Sequence, residues 1–162
     1  MSPQSKPKTR KVAPFDQSQP LAGGPPIVSS ALVEVRDSPV HGRGVFAVGA
    51  IAKGTRILEY LGDRVSHKAA DDRYEDHDEN DNHTFLFIVD KHTVIDAGVN
   101  GNIARFINHS CRPNCYIDIK DGVIWIRAAR TIKQGEELTY DYNTDGDGLI
   151  KCHCRAGCQR LL

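Results

Sequence analysis

No apolar run in this 162-residue chain approaches the roughly 20 residues that a helix needs to cross a bilayer. The N-terminus also lacks the apolar centre of a secretory signal, so the protein is expected inside the cell. Excess charge of either sign is missing, because Lys+Arg and Asp+Glu both number 21. That balance removes whole-molecule attraction to nucleic acid or to a membrane and leaves only local patches. Sustained helical periodicity is almost absent. A disulfide framework is also disfavoured: five unevenly placed cysteines, in a compartment that keeps thiols reduced, point instead to metal ligation.

What is present fits one domain, and a hydrophobic content of 40% is enough for a real core. Residues 1–30 read as a disordered tail, basic in KPKTRK and then Pro-Gly-rich through LAGGPP. From Ala31 onward short β-branched or aromatic runs follow one another: ALVEVRD, GVFAVGA, TRILEYLG, TFLFIVD, TVIDA, YIDIK with GVIWIRAAR, and EELTYDY. Gly, Pro, Asn and Asp separate them, and KDG between YIDI and VIWIRA is a hairpin turn. The pattern predicts a mostly β fold with few, short helices, one of them near Asn100 to Phe106. Between the strands, DDRYEDHDEND at 71–81 carries seven acids against Arg73. Such a run is ordinarily solvated surface, but beside a site it would steer a basic peptide.

Three further motifs carry chemistry. HGRGVFA, residues 41–47, spaces two glycines at a strand start, where bare backbone lets a ligand come close. It is no dinucleotide fingerprint, since the third glycine and the long helix are missing. CHCRAGC, residues 152–158, supplies three thiols in one short loop, one fewer than the four ligands of a structural zinc. His153 sits between two of them and is poorly placed to join. Either Cys111 or Cys115, both in RFINHSCRPNC at 105–115, could supply the fourth.

HGRGVFA, RFINHSCRPNC, GEELTYDY and a cysteine-rich end, in this order, resemble the SET-domain protein lysine methyltransferases with a post-SET zinc segment. The resemblance implies a SET domain over 31–143, several short-stranded sheets with a pseudoknot around NHSC, and a post-SET zinc-binding segment over 144–162. It further implies that Asn108 and His109 face S-adenosylmethionine, with His41, Arg43, Gly44 and Arg105 completing the cofactor pocket. Cys111 then becomes the fourth zinc ligand beside Cys152, Cys154 and Cys158, and Cys115 a spare. Tyr142 is implied as the catalytic tyrosine, and Tyr140 stands where Phe or Tyr controls how many methyls are added.

Transfer of a methyl group to an amine needs a neutral nucleophile and close alignment. Deprotonating a lysine of pKa near 10.4 at neutral pH costs on the order of 4 kcal/mol, a cost that an apolar channel lowers by disfavouring the ammonium. The tyrosines of TYDY suit such a channel. Three departures from the family pattern stand out. RAG places three residues, not four, between the second and third clustered cysteines; Phe85 replaces a framing tyrosine; and no cysteine cluster precedes Ala31. The expected function is therefore an S-adenosylmethionine-dependent protein lysine methyltransferase. Its substrate would be a histone tail or another basic protein segment, found in the nucleus of a eukaryote or the cytoplasm of a bacterium. It is expected to be a monomer without membrane contact and without nucleic-acid binding beyond its tail. The alternative is a zinc-stabilised SET-fold module that holds a peptide and transfers nothing.

Overall fold

The computed structural model describes residues 30–75, 85–142 and 152–160. The basic tail, most of the acidic run and the start of the segment ahead of CHCRAGC lie outside the described residues. Among the described residues four small sheets build the fold, as the short alternating runs predict. β1 (Val33–Asp37) pairs antiparallel with β2 (Arg43–Ala47). β3 (Arg56–Glu59), β8 (Cys115–Lys120) and β9 (Val123–Ala128) form a second sheet with β9 in the middle. β4 (Asp63–Ser66), β5 (Leu86–Ile88) and β6 (Thr93–Asp96) form a third around β6. β7 (Asn108–His109) and β10 (Thr139–Tyr140) make the one parallel pair among the described residues.

Local chemistry explains most of these elements. In β9 the burial alternates along VIWIRA, which places Ile124, Ile126 and Ala128 in the core at zero exposure. The β8–β9 hairpin closes through Asp121 and Gly122, with φ of +53° and +75°. Positive φ at both central residues is the primed turn whose twist matches that of the strands, so the KDG expectation holds. Val33, Val45, Ile95, Ile103, Ile132 and Leu138 join the same core from five other parts of the chain.

One element was not anticipated. α1 (His67–Arg73) follows β4, is capped by the Ser66 hydroxyl accepting from Ala69 N, and takes in the first residues of the acidic run. At seven residues it is too short to show a period, and tertiary contacts hold it. Arg73 donates to the fully buried Asp96 at 2.9 Å and to Asp63 at 3.0 Å, while the Tyr74 hydroxyl also donates to Asp96 at 2.9 Å. The helix expected near Asn100 is a single 3-10 turn, Ile103–Phe106, capped by Asn102.

Candidate active site and thiol cluster

The 3-10 turn delivers the residues of RFINHSC to the centre of the molecule. Asn102 caps it, and its amide also donates to Glu59 O at 2.8 Å, so the turn is pinned to the end of β3. Ile103, Ala104, Arg105 and Phe106 are all buried. β7 follows at once and is clamped beside β10, with Ser110 N donating to Tyr140 O at 3.1 Å.

Asn108 ties β7 to the HGRG loop. Its amide nitrogen lies 3.1 Å from His41 O, 2.9 Å from Arg43 O and 2.8 Å from the Glu137 carboxylate, so two hydrogens are shared among three acceptors. Ser38 Oγ donates to the same carboxylate at 2.8 Å. A side chain at Gly44 would overlap Glu137 and crowd Ser38. The bare backbone at Gly44 therefore admits a carboxylate of the protein itself. Glu137 was missed in the sequence, because the second glutamate of GEEL has no local mark separating it from a surface acid.

Arg105 is 7% exposed and donates from Nη1 to Ala97 O at 3.0 Å. Its guanidinium is stacked on Phe85 at 5.2 Å and on Phe106 at 4.8 Å. Arg43 lies over the same Phe106 ring at 5.8 Å. Nε and Nη2 of Arg105 are buried with no protein partner. Uncommitted guanidinium donors beside a second arginine match the carboxylate of an amino-acid-bearing cosubstrate such as S-adenosylmethionine, so the residues fit that group. Phe85, where the family pattern has a tyrosine, serves here as a face for Arg105.

Four aromatic rings stand in succession beside Arg105. Tyr60 and Phe87 have centroids 5.1 Å apart, Phe87 and Tyr140 6.3 Å, and Tyr140 and Tyr142 4.9 Å. The Tyr142 hydroxyl donates to Ile107 O at 2.7 Å. Burial pushes the phenols of Tyr60, Tyr140 and Tyr142 above their usual range, so all three keep their protons at neutral pH. Tyr60 and Phe87 were not picked out in the sequence. Each reads as an ordinary strand aromatic until the fold sets it next to the TYDY pair.

His109, 4% exposed, sits between the aromatic row and the cysteines. Its Nδ1 accepts from Tyr142 N at 3.2 Å, and its Nε2 lies 3.4 Å from Cys111 Sγ. Burial lowers its pKa below the usual 6.5, with Asp141 opposing and Arg160 adding to the effect. His41 is lowered too, first by burial and then by the nearby His153, which brings the HGRG loop beside the C-terminal segment.

The sulfurs of Cys111, Cys152, Cys154 and Cys158 all lie within 4.8 Å of one another. Cys111 Sγ is 3.8 Å from both Cys152 Sγ and Cys158 Sγ. Zinc–sulfur bonds of about 2.3 Å in a tetrahedron set sulfurs about 3.8 Å apart, so this donor set fits zinc and the shortened RAG spacing is no obstacle. Burial raises the Cys154 thiol, but hydrogen bonding to Cys111 and the other thiols outweighs it and brings the pKa to about 7. Cys115 lies apart from the cluster on β8, opposite Ala128, with its thiol pushed up to about 12 by burial. Arg160, also missed in the sequence, donates to Asp141 at 2.8 Å and reaches Cys111 Sγ at 3.9 Å. Cys152 N donates to Arg160 O at 2.8 Å, which closes the segment on itself.

Small sheets packed around the short NHS strand, beside an aromatic row and four converging thiols, are the features of a SET fold. Residues 42–143 match the SET domain, and the chain belongs to that family. It is 42% identical over 136 residues to "Histone-lysine N-methyltransferase trithorax" of Drosophila virilis, covering 80% of this chain and 4% of that protein. It is 40% identical over 135 residues to "Histone-lysine N-methyltransferase, H3 lysine-4 specific" of Mycosarcoma maydis, covering 77% of this chain and 9% of that protein. Against "Histone-lysine N-methyltransferase 2D" of Homo sapiens it is 37% identical over 133 residues, covering 77% of this chain and 2% of that protein. The chain thus spans less than a tenth of the length of these relatives. No helix among the described residues is long and apolar enough to cross a membrane.

Proposed function

We propose that this protein is an S-adenosylmethionine-dependent protein lysine N-methyltransferase acting inside the cell on a histone tail or a similar basic protein segment. The observation that carries the reading is the row of Tyr60, Phe87, Tyr140 and Tyr142, set beside the NHS strand in a chain of the SET family. The names of the relatives support the reaction and the substrate class.

His41, Arg43, Gly44, Arg105, Asn108 and His109 would hold the cosubstrate, which supplies an electrophilic methyl group when bound. Arg105 provides unpartnered donors for its carboxylate. Asn108 donates to the carbonyls of His41 and Arg43 and to the Glu137 carboxylate, and so fixes the path of the loop. The aromatic walls accept the lysine stem and exclude water, which favours the neutral amine. Tyr142 does not serve as a phenolate base, since burial keeps its proton on. That proton is given to Ile107 O, so toward the substrate the phenolic oxygen is an acceptor that can orient an amine N–H. The lysine proton is therefore lost to solvent before the amine is aligned.

Cys111, Cys152, Cys154 and Cys158 would hold a structural zinc that docks residues 152–160 beside Asp141 of the TYDY motif. A substrate-facing role of the acidic run would complement a basic peptide.

The test is Tyr142→Phe with purified protein, radiolabelled cosubstrate and mixed basic proteins. Turnover is expected to fall by about 100-fold or more, the usual range for removing a group at the reacting centre. Affinity for S-adenosylmethionine by calorimetry should stay near that of the unmodified protein. Transfer at near-normal rate in Tyr142→Phe would overturn the assignment of this residue. Peptide binding without any transfer in the unmodified protein would overturn the enzyme reading itself.

A further inference from the structure

His109 connects the thiol cluster to the aromatic row by two hydrogen bonds on opposite sides of one buried ring. A backbone N–H can only donate, so the bond from Tyr142 N requires Nδ1 of His109 to be an acceptor. The proton of the neutral ring is then on Nε2, and Nε2 faces Cys111 Sγ at 3.4 Å. Asp141 Oδ1 is the other candidate partner of Nδ1, but it lies at 3.7 Å, and Oδ2 of that carboxylate is taken by Arg160 at 2.8 Å. Geometry thus favours the Tyr142 bond and the Nε2–H tautomer.

We propose that His109 is a positioning residue that couples the metal cluster to the reaction centre, donating from Nε2 to the Cys111 thiolate and accepting from the Tyr142 backbone at Nδ1. This rests on reading the four thiols as a metal site and Tyr142 as the residue that orients the amine. A metal-bound thiolate is a charged acceptor and holds the Nε2 proton, which keeps Nδ1 free to grip Tyr142. Metal binding near the C-terminus would therefore set the position of Tyr142 through one imidazole. The ring packs against Tyr142 as well, with centroids 5.3 Å apart, so a shift of His109 is felt by backbone and side chain together.

Two substitutions separate the two bonds in the 162-residue chain. His109→Asn keeps an oxygen near the Nδ1 position and loses the reach to Cys111. His109→Gln keeps an N–H near the Nε2 position and loses the acceptor for Tyr142. In His109→Gln, hydrogen exchange of the Tyr142 amide should accelerate and kcat should fall, while the cadmium-113 resonance of the cadmium-loaded protein stays near its original position. In His109→Asn, that resonance should move and zinc affinity should drop on the order of tenfold, with Tyr142 exchange much less altered. Nitrogen-15 spectra of the unmodified zinc protein should show His109 protonated at Nε2 and bare at Nδ1. A proton on Nδ1, or unchanged cadmium and Tyr142 signals in both variants, would overturn the coupling while leaving the zinc and methyltransferase readings intact. Absence of bound zinc in the unmodified protein would overturn the metal reading and the coupling together.

Discussion

The amide of Asn108 donates to the backbone carbonyl of Arg43 at 2.9 Å, joining two parts of the chain that lie 65 residues apart. The same nitrogen serves His41 O and Glu137, so one side chain fastens the HGRG loop to the NHS strand. Asn108→Ala removes hydrogen bonds worth about 0.5–1.5 kcal/mol each and leaves the Glu137 carboxylate less satisfied. The expected outcome is a loss of S-adenosylmethionine affinity of about tenfold, read by calorimetry, with the fold retained by circular dichroism. Unchanged affinity would show that the loop holds its path without Asn108.

Metal content gives a second test. One zinc per chain is expected, bound by Cys111, Cys152, Cys154 and Cys158. Cys152 and Cys158 lie outside the main hydrophobic cluster, so chelation should remove activity at concentrations that leave the core folded. Elemental analysis of Cys111→Ser should show metal loss, and Cys115→Ser should match the unmodified protein. Zinc loss in Cys115→Ser would move the fourth ligand.

The number of methyls added should depend on Tyr140, a buried ring 4.9 Å from Tyr142. A phenolic hydroxyl in the channel, with any water it holds, takes up space that further methyl groups need. Removing it frees roughly 30 Å³ if one water leaves, enough for a methyl. The unmodified enzyme is expected to stop mainly at mono- or dimethyllysine, and Tyr140→Phe to proceed further. Mass spectrometry of a peptide after long reaction checks this, and predominant trimethyllysine from the unmodified enzyme would remove the role.

Acid stability should carry the mark of Glu136. A hydrogen bond from Arg130, with help from Lys133 N and Asn114, holds its carboxyl at about 2 against the opposing effect of burial. The folded pKa lies below the usual value near 4.3, so the native state binds fewer protons than the unfolded chain. Its contribution is full above that usual value and is lost as pH falls toward 2. Urea midpoints should therefore decline across this window, and Glu136→Gln should flatten that part of the curve while lowering stability at neutral pH.

Several features were legible because their cause is local. The alternation in VIWIRA, the Asp-Gly turn and the breaker residues between runs each act within a few positions, and the corresponding strands formed where they stand. Others were hidden because their cause is distant. HKAADDR becomes helical through Asp96 and Asp63, and the two-residue strand Asn108–His109 exists only because Thr139–Tyr140 lies beside it. Tyr60, Phe87 and Glu137 carry no local sign of where they will sit.

Residue order alone determined the β-rich class, the family likeness and the presence of three clustered thiols, since each is written in neighbouring residues. The tertiary structure decided between equivalents. Cys111 and Cys115 are four positions apart and chemically alike, yet the first turns toward the C-terminal thiols while the second enters β8 and the core. The two asparagines Asn108 and Asn114 likewise go to different tasks, one binding the HGRG carbonyls and the other the Glu137 carbonyl at 2.7 Å. Such choices depend on where a side chain points after distant strands have paired, and strand pairing is set by contacts that no short window of sequence contains.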